Sequence, residues 1–237
     1  MARALKFIFA AAVFPSALLG CAQAAKGFYG VFSNFHATGW FCGGFAAYAA
    51  AHFAFGGAGR VYVFAHELAH AAAGILSGCK VRGFSVGARE GQVVMEGSNA
   101  FTALAPYCAP VYAVLCALAY YTASLKWDMT AYSGWFFGAT GFFLSFHLLN
   151  TFEILWGTKQ SDLRQAGGVF FSTAIILAAN SAVLLASFKL LYPRLINVHS
   201  AFLNVSDGTR VFWQWTAAQA ALGAKIAWAA IFYRTVN

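Results

Sequence analysis

The chain has 237 residues, of which 61% are hydrophobic, 18% aromatic and only 9% charged. Soluble domains carry about 25% charged residues, so a water-soluble globular fold is excluded and a lipid bilayer is the expected surrounding. The net charge of +8 comes from fifteen Lys and Arg scattered through short loops. Without a basic stripe interleaved with aromatics, this excess points to membrane topology and away from nucleic acid.

Arg3 and Lys6 precede an apolar stretch from Phe7 to Leu19, and Ala22-Gln23-Ala24 has the small-x-small form of a signal-peptidase site. Leu18-Leu19-Gly20-Cys21 has the form of a lipoprotein signal. Residues 1–24 are therefore a signal peptide or a first transmembrane helix, and residues 25–237 form a single integral-membrane domain without internal repeats. Residues 27–59 carry no charge, and 40–58 reads as a transmembrane or re-entrant helix.

The glycine-rich break Gly56-Gly57-Ala58-Gly59 introduces a helix predicted over residues 60–77, stopped by Gly78, where a left-handed backbone ends helices easily. This helix contains His66-Glu67-Leu68-Ala69-His70, an H-E-x-x-H pattern. Residues four apart share one helical face, so the two imidazoles can grip one metal ion with Glu67 beside it. Burying Glu67 and two imidazoles in a bilayer costs several kcal/mol unless something compensates, and a divalent cation is the simplest compensation.

Beyond the motif helix, residues 79–99 are polar and rich in glycine. Alternation over 80–86 and 92–96 predicts a hairpin turning at 87–91 along the membrane face. Uncharged apolar runs follow at 101–123, 132–152 and 166–188, with a fourth at 211–233 whose Lys225 is expected to snorkel to an interface. Pro106 and Pro110 each remove a backbone hydrogen bond from the first run and are expected to kink it. The fold class is an all-α polytopic membrane protein, with about five to seven transmembrane helices and a short membrane-associated β-hairpin after the H-E-x-x-H helix.

Lys80, Arg82, Arg89, Lys159, Arg164 and Arg234 fall on one side of this topology, against Lys126, Lys189, Arg194 and Arg210 on the other. The positive-inside rule then places the C-terminal end of the motif helix toward the cytoplasm. A cytoplasmic N-terminus followed by two full crossings would reverse that orientation. Either 40–58 is re-entrant, or the first segment is removed or inverted.

The five cysteines form no C-x-x-C pair and read as neither ligands nor staples. Single histidines at 36, 52, 147 and 199, and Asn180, read as interhelical hydrogen-bonding or solvated groups. The aromatic excess reads as lipid-facing and interhelical packing. Hydrolytic zinc takes three protein ligands and keeps one position for water, so the two histidines need a third partner. Asp162, Glu153 and His147 are the candidates, with Asp128 and Asp207 behind them. Glu67 is placed as the base that takes a proton from the attacking water.

These residues resemble the site-2-protease-like intramembrane zinc metalloproteases, in which an H-E-x-x-H helix and a membrane-hugging hairpin are completed by an Asp from a later, Asn-led segment. The matching stretches are His66 to His70, Leu76-Ser77-Gly78-Cys79-Lys80-Val81, and the segment from His147 through Asn150 to Ser161-Asp162-Leu163. The last departs from the family: no Pro lies between Asn150 and Asp162, and Leu163 stands where Gly is usual. The resemblance implies one Zn2+ on His66, His70 and Asp162, Glu67 as base, and Asn150 positioning substrate or oxyanion. It further implies membrane-protein substrates and a place in the bacterial inner membrane. No inserted PDZ-like domain fits in the length of the chain. The alternative is a non-catalytic metal-binding membrane protein that holds or regulates a partner.

Overall fold

The computed structural model describes residues 2–56, 59–87, 90–157 and 161–236, so Arg89 and Lys159 of the topology argument lie outside the described residues. Nine α-helices and one two-stranded antiparallel sheet occur among the described residues. They are α1 (Ala2–Ser33), α2 (Phe35–Phe55), α3 (Gly59–Leu76), β1 (Val81–Val86), β2 (Gly91–Met95), α4 (Ala100–Cys108), α5 (Val111–Ser124), α6 (Ser133–Gly157), α7 (Ser161–Ala166), α8 (Val169–Leu191) and α9 (Val198–Val236). Two helices, Arg3–Ser33 and Val169–Leu191, are long and apolar enough to cross a membrane. The bent pair α4–α5 adds a third if taken as one span.

α1 runs unbroken through the Ala22-Gln23-Ala24 segment. Its side facing the protein repeats every seven residues, with Ala10, Ala17, Ala24 and Val31 all buried. Small residues at that spacing let two backbones approach in coiled-coil fashion. The partner is α8: a Cβ on Gly20 would meet Ser181 at 3.3 Å, and one on Gly27 would meet Phe188 at 3.3 Å. The same device joins α2 to α6, where a methyl at Gly44 would overlap the Gly138 carbonyl and one at Gly141 would overlap that of Phe41.

Contacts along the helices give their directions. α1 and α8 are parallel, with Lys6 on Ala166 near their starts and Gly27 beside Phe188 near their ends. α2 folds back on α1, bringing Phe45 to 5.1 Å from Phe28. It is parallel to α6, from Trp40 beside Trp135 to His52 beside Glu153. α3 also heads the way of α6, from Tyr62 beside Phe146 to His66 beside Asp162. α3 therefore restarts some way back from the end of α2 and runs in the same direction. The start of α1, α7 and the end of α3 thus share one end of the molecule, the arrangement that a cytoplasmic N-terminus and a cytoplasmic end of the motif helix both require.

Other boundaries differ from expectation for local reasons. The motif helix ends at Leu76, and Gly78 at φ +75° closes a Schellman turn: Cys79 N–H donates to Gly74 O at 2.9 Å and Gly78 N–H to Ile75 O at 3.0 Å. The expected kinked helix over 101–123 is two helices meeting at 73°, because Ala109 is extended before Pro110 and leaves the helical region. Asn99 caps α4 by accepting from Thr102 N–H at 2.9 Å, while Thr102 Oγ1 accepts from Asn99 N–H at 2.9 Å. The 166–188 run begins only at Val169, since Gly167 and Gly168 at φ +153° and +104° interrupt it and leave α7 as a separate turn. α9 starts thirteen residues ahead of the 211–233 run, with the Asp207–Arg210 pair inside it.

Candidate metal centre

α3, α4 and α7 build the site. His66 and His70 project from one face of α3, with their Nε2 atoms 3.2 Å apart. α7 brings Asp162 Oδ2 to 3.5 Å from His66 Nε2 and 3.7 Å from His70 Nε2. The three ligand atoms lie within 4.8 Å of one another, and among the described residues they are the one such group. Ligand bonds of about 2.0–2.2 Å in a tetrahedron put donor atoms roughly 3.3 Å apart. The separations found here, 3.2, 3.5 and 3.7 Å, are of the size that lets the three atoms share one ion.

The outer contacts fix which atoms face the centre. His70 Nδ1 lies 2.8 Å from Thr102 O. A carbonyl only accepts, so Nδ1 carries the proton and Nε2 is the ring nitrogen left for a cation. Tyr62, one turn before His66, sets its hydroxyl 3.1 Å from His66 Nδ1. Tyr107, completely buried on α4, donates to Asp162 Oδ2 at 2.9 Å. Burial pushes the Asp162 carboxyl up, but the neighbouring His66 and His70 imidazoles and the Tyr107 hydroxyl outweigh it and hold the group well below the usual carboxylate range. Asp162 is therefore an anion, aimed where one positive charge would satisfy all three ligands.

Glu67, buried on the adjacent face of α3, lines the same cavity of about 730 Å³ as His66, His70 and Asp162. The hairpin covers it. A Cβ on Gly91 would stand 2.5 Å from Glu67 Cγ and 2.7 Å from Val63, so only glycine allows this approach of β2. The hairpin forms where alternation predicted, with Val86 opposite Gly91 and Phe84 opposite Val93.

The other candidate third ligands lie elsewhere. Glu153 stands 3.6 Å from His52 at the far end of α2. His147 bonds through Nε2 to Asn180 Oδ1 at 2.9 Å. Asp128 accepts from Thr130 N–H in the loop before α6, and Asp207 pairs with Arg210 on α9. Asn150 is also apart from the cavity lining: its Nδ2 donates to Tyr48 Oη and to Phe146 O, both at 2.7 Å. Tyr62, Thr102, Tyr107 and Gly91 are participants that motif reading missed. Tyr62 was findable at four residues before His66, whereas Tyr107 meets Asp162 across 55 positions with no local sign.

The fold and site thus define an all-α protein with apolar helices able to span a membrane and a His-His-Asp group able to hold a metal ion. Comparison with protein-family models, curated proteins and solved structures returns no match.

Proposed function

We propose that this chain is a multi-pass intramembrane zinc metallopeptidase, similar to the site-2 proteases, which cleaves membrane proteins within or beside the bilayer. The observation that carries the reading is the convergence of His66, His70 and Asp162 with Glu67 on one cavity. His66 Nε2, His70 Nε2 and Asp162 Oδ2 would hold one Zn2+. When bound, that ion supplies a Lewis acid for the scissile carbonyl and acidifies a water molecule. Glu67 takes the proton of the attacking water and returns it to the leaving amine. Tyr62, the Thr102 carbonyl and Tyr107 keep the three ligands oriented. A substrate helix must unwind to reach the cavity, because a carbonyl engaged in a helix is poorly presented.

About five to seven transmembrane helices, with α2, α5, α6 and part of α9 joining the two apolar spans, complete the proposed topology. The end of α1 that bears Arg3 and Lys6 then faces the cytoplasm of a bacterial inner membrane, together with Lys80, Arg82 and Arg164. The alternative, a non-catalytic metal-binding protein that regulates a membrane partner, is favoured by one observation: Asn150 points to Tyr48 and away from the cavity.

Elemental analysis of purified wild type, His66→Ala, Asp162→Ala and Glu67→Gln tests the site. The expected result is about one zinc per chain in wild type and Glu67→Gln, and none in the other two. Comparing membrane-protein termini in cells expressing wild type or Glu67→Gln tests the activity. New termini that vanish with Glu67→Gln support a protease. Identical termini with zinc retained leave the regulatory reading in its place.

A further inference from the structure

A second cavity, of about 830 Å³, opens where α1 and α8 begin and α7 ends; it contains none of the three candidate metal ligands, and Gln165 lies between it and the metal-centre cavity. Arg3, Lys6 and Arg164 line it, with Phe7, Phe170 and Gln165. None of the chain's seven carboxylates does. Among the described residues no ion pair engages these three cations. Lys6 Nζ is partly committed, donating to Ala166 O at 2.7 Å and standing 5.7 Å from the Phe171 ring centroid, while Arg3 and Arg164 are exposed. Three like charges around one hollow repel each other unless an anion joins them.

The position of the cavity selects the anion. α1 and α8 are the two long apolar helices and run parallel, so their first residues emerge at one membrane face. Directly below the cations, the walls turn apolar: Phe7 is 62% exposed, and both Phe7 and Phe14 lie 5.3 Å from the Phe170 ring. A charged mouth above an exposed aromatic wall, along a bilayer-spanning pair, matches a phosphate diester carrying acyl chains.

We propose that this cavity binds an anionic phospholipid, its phosphate on Arg3, Lys6 and Arg164 and its chains along Phe7 and Phe14. The cavity reaches α7, the helix that also carries Asp162. That helix has six residues, bears Asp162 and Arg164 two positions apart, and has its terminal carbonyl capped by Lys6. Through Lys6 and Arg164 the headgroup joins α7 to α1.

The test is native mass spectrometry of the full chain from neutral detergent, titrated with phosphatidylglycerol, phosphatidylcholine or inorganic phosphate. Phosphatidylglycerol is expected to remain bound where phosphatidylcholine does not. An Arg3→Gln/Arg164→Gln variant is expected to weaken it about tenfold. Arg164→Lys should retain binding, and Lys126→Gln, at the opposite end of the molecule, should leave it unchanged. Unfolding temperatures in phosphatidylcholine alone check that the variants fold, and Arg164→Gln alone serves if the double variant does not. Equal retention of both lipids, or of phosphatidylglycerol by wild type and the Gln variants, overturns the proposal. Displacement by inorganic phosphate at matched concentration assigns the hollow to free anions and overturns the lipid.

Discussion

The two ends of the molecule are held together by different physics. Around the start of α6 and the end of α8, the core is aromatic: Phe41, Phe136, Phe188 and Tyr192 are buried against Phe28, Phe32 and Phe45. Around α7, Tyr107 is the one buried ring among aliphatic residues, and polar links join the helices: His70 to Thr102, Tyr107 to Asp162, and Asn180 to Tyr107 O at 2.8 Å. Apolar packing is spread over many weak contacts and degrades by degrees when a side chain is shortened. Hydrogen bonds between buried groups fail abruptly, because the abandoned partner keeps its desolvation cost. The aromatic end is thus suited to stability, and the polar end to holding three ligand atoms in one geometry.

The largest expected effect lies at the polar end. His66→Ala should abolish metal binding, seen as loss of the zinc-induced rise in unfolding temperature, while leaving the metal-free protein folded. Phe41→Ala should do the opposite, costing about 3 kcal/mol of stability through a cavity. Its zinc stoichiometry at low temperature should equal that of wild type, and any loss of zinc there would erase the contrast between the ends.

Tyr107→Phe removes one hydroxyl and little volume. Zinc affinity is expected to fall about tenfold or somewhat more by competition with a chelating dye, as for other outer partners of metal ligands. Unchanged affinity would show that α7 packing alone orients Asp162. Smallest is Asn99→Ala, which deletes the cap of α4 and should cost about 1 kcal/mol in thermal unfolding. Because α4 also carries the Thr102 carbonyl, a slight loss of zinc affinity should accompany it. Gly91→Ala sharpens the comparison differently: a methyl against Glu67 should lift β2 and change activity while zinc remains bound.

Much of this was legible locally. The H-E-x-x-H spacing is a property of one helical turn, the Gly78 stop is a property of one residue's φ, and the hairpin follows from alternation over a few positions. The break at Pro110 was legible as a perturbation, but its 73° size depends on what α4 and α5 pack against. Asp162 stood, on its own residues, among several candidate third ligands and was singled out only by the family resemblance, since its six-residue helix has no periodic signal and its neighbours come from α3 and α4. Asn150 shows the converse, a residue placed by motif position whose amide the fold turns toward Tyr48.

The sequence by itself determined that this chain is apolar, helical and carries two histidines spaced to face one metal ion, because composition and one-turn spacing are local quantities. Only the tertiary structure decided which carboxylate joins that pair and which hydroxyls and carbonyl orient the three. It also decided that α3 runs the same way as α2. Those outcomes depend on helix directions and close glycine contacts between segments far apart in the chain, where no short-range pattern records which neighbour will be met.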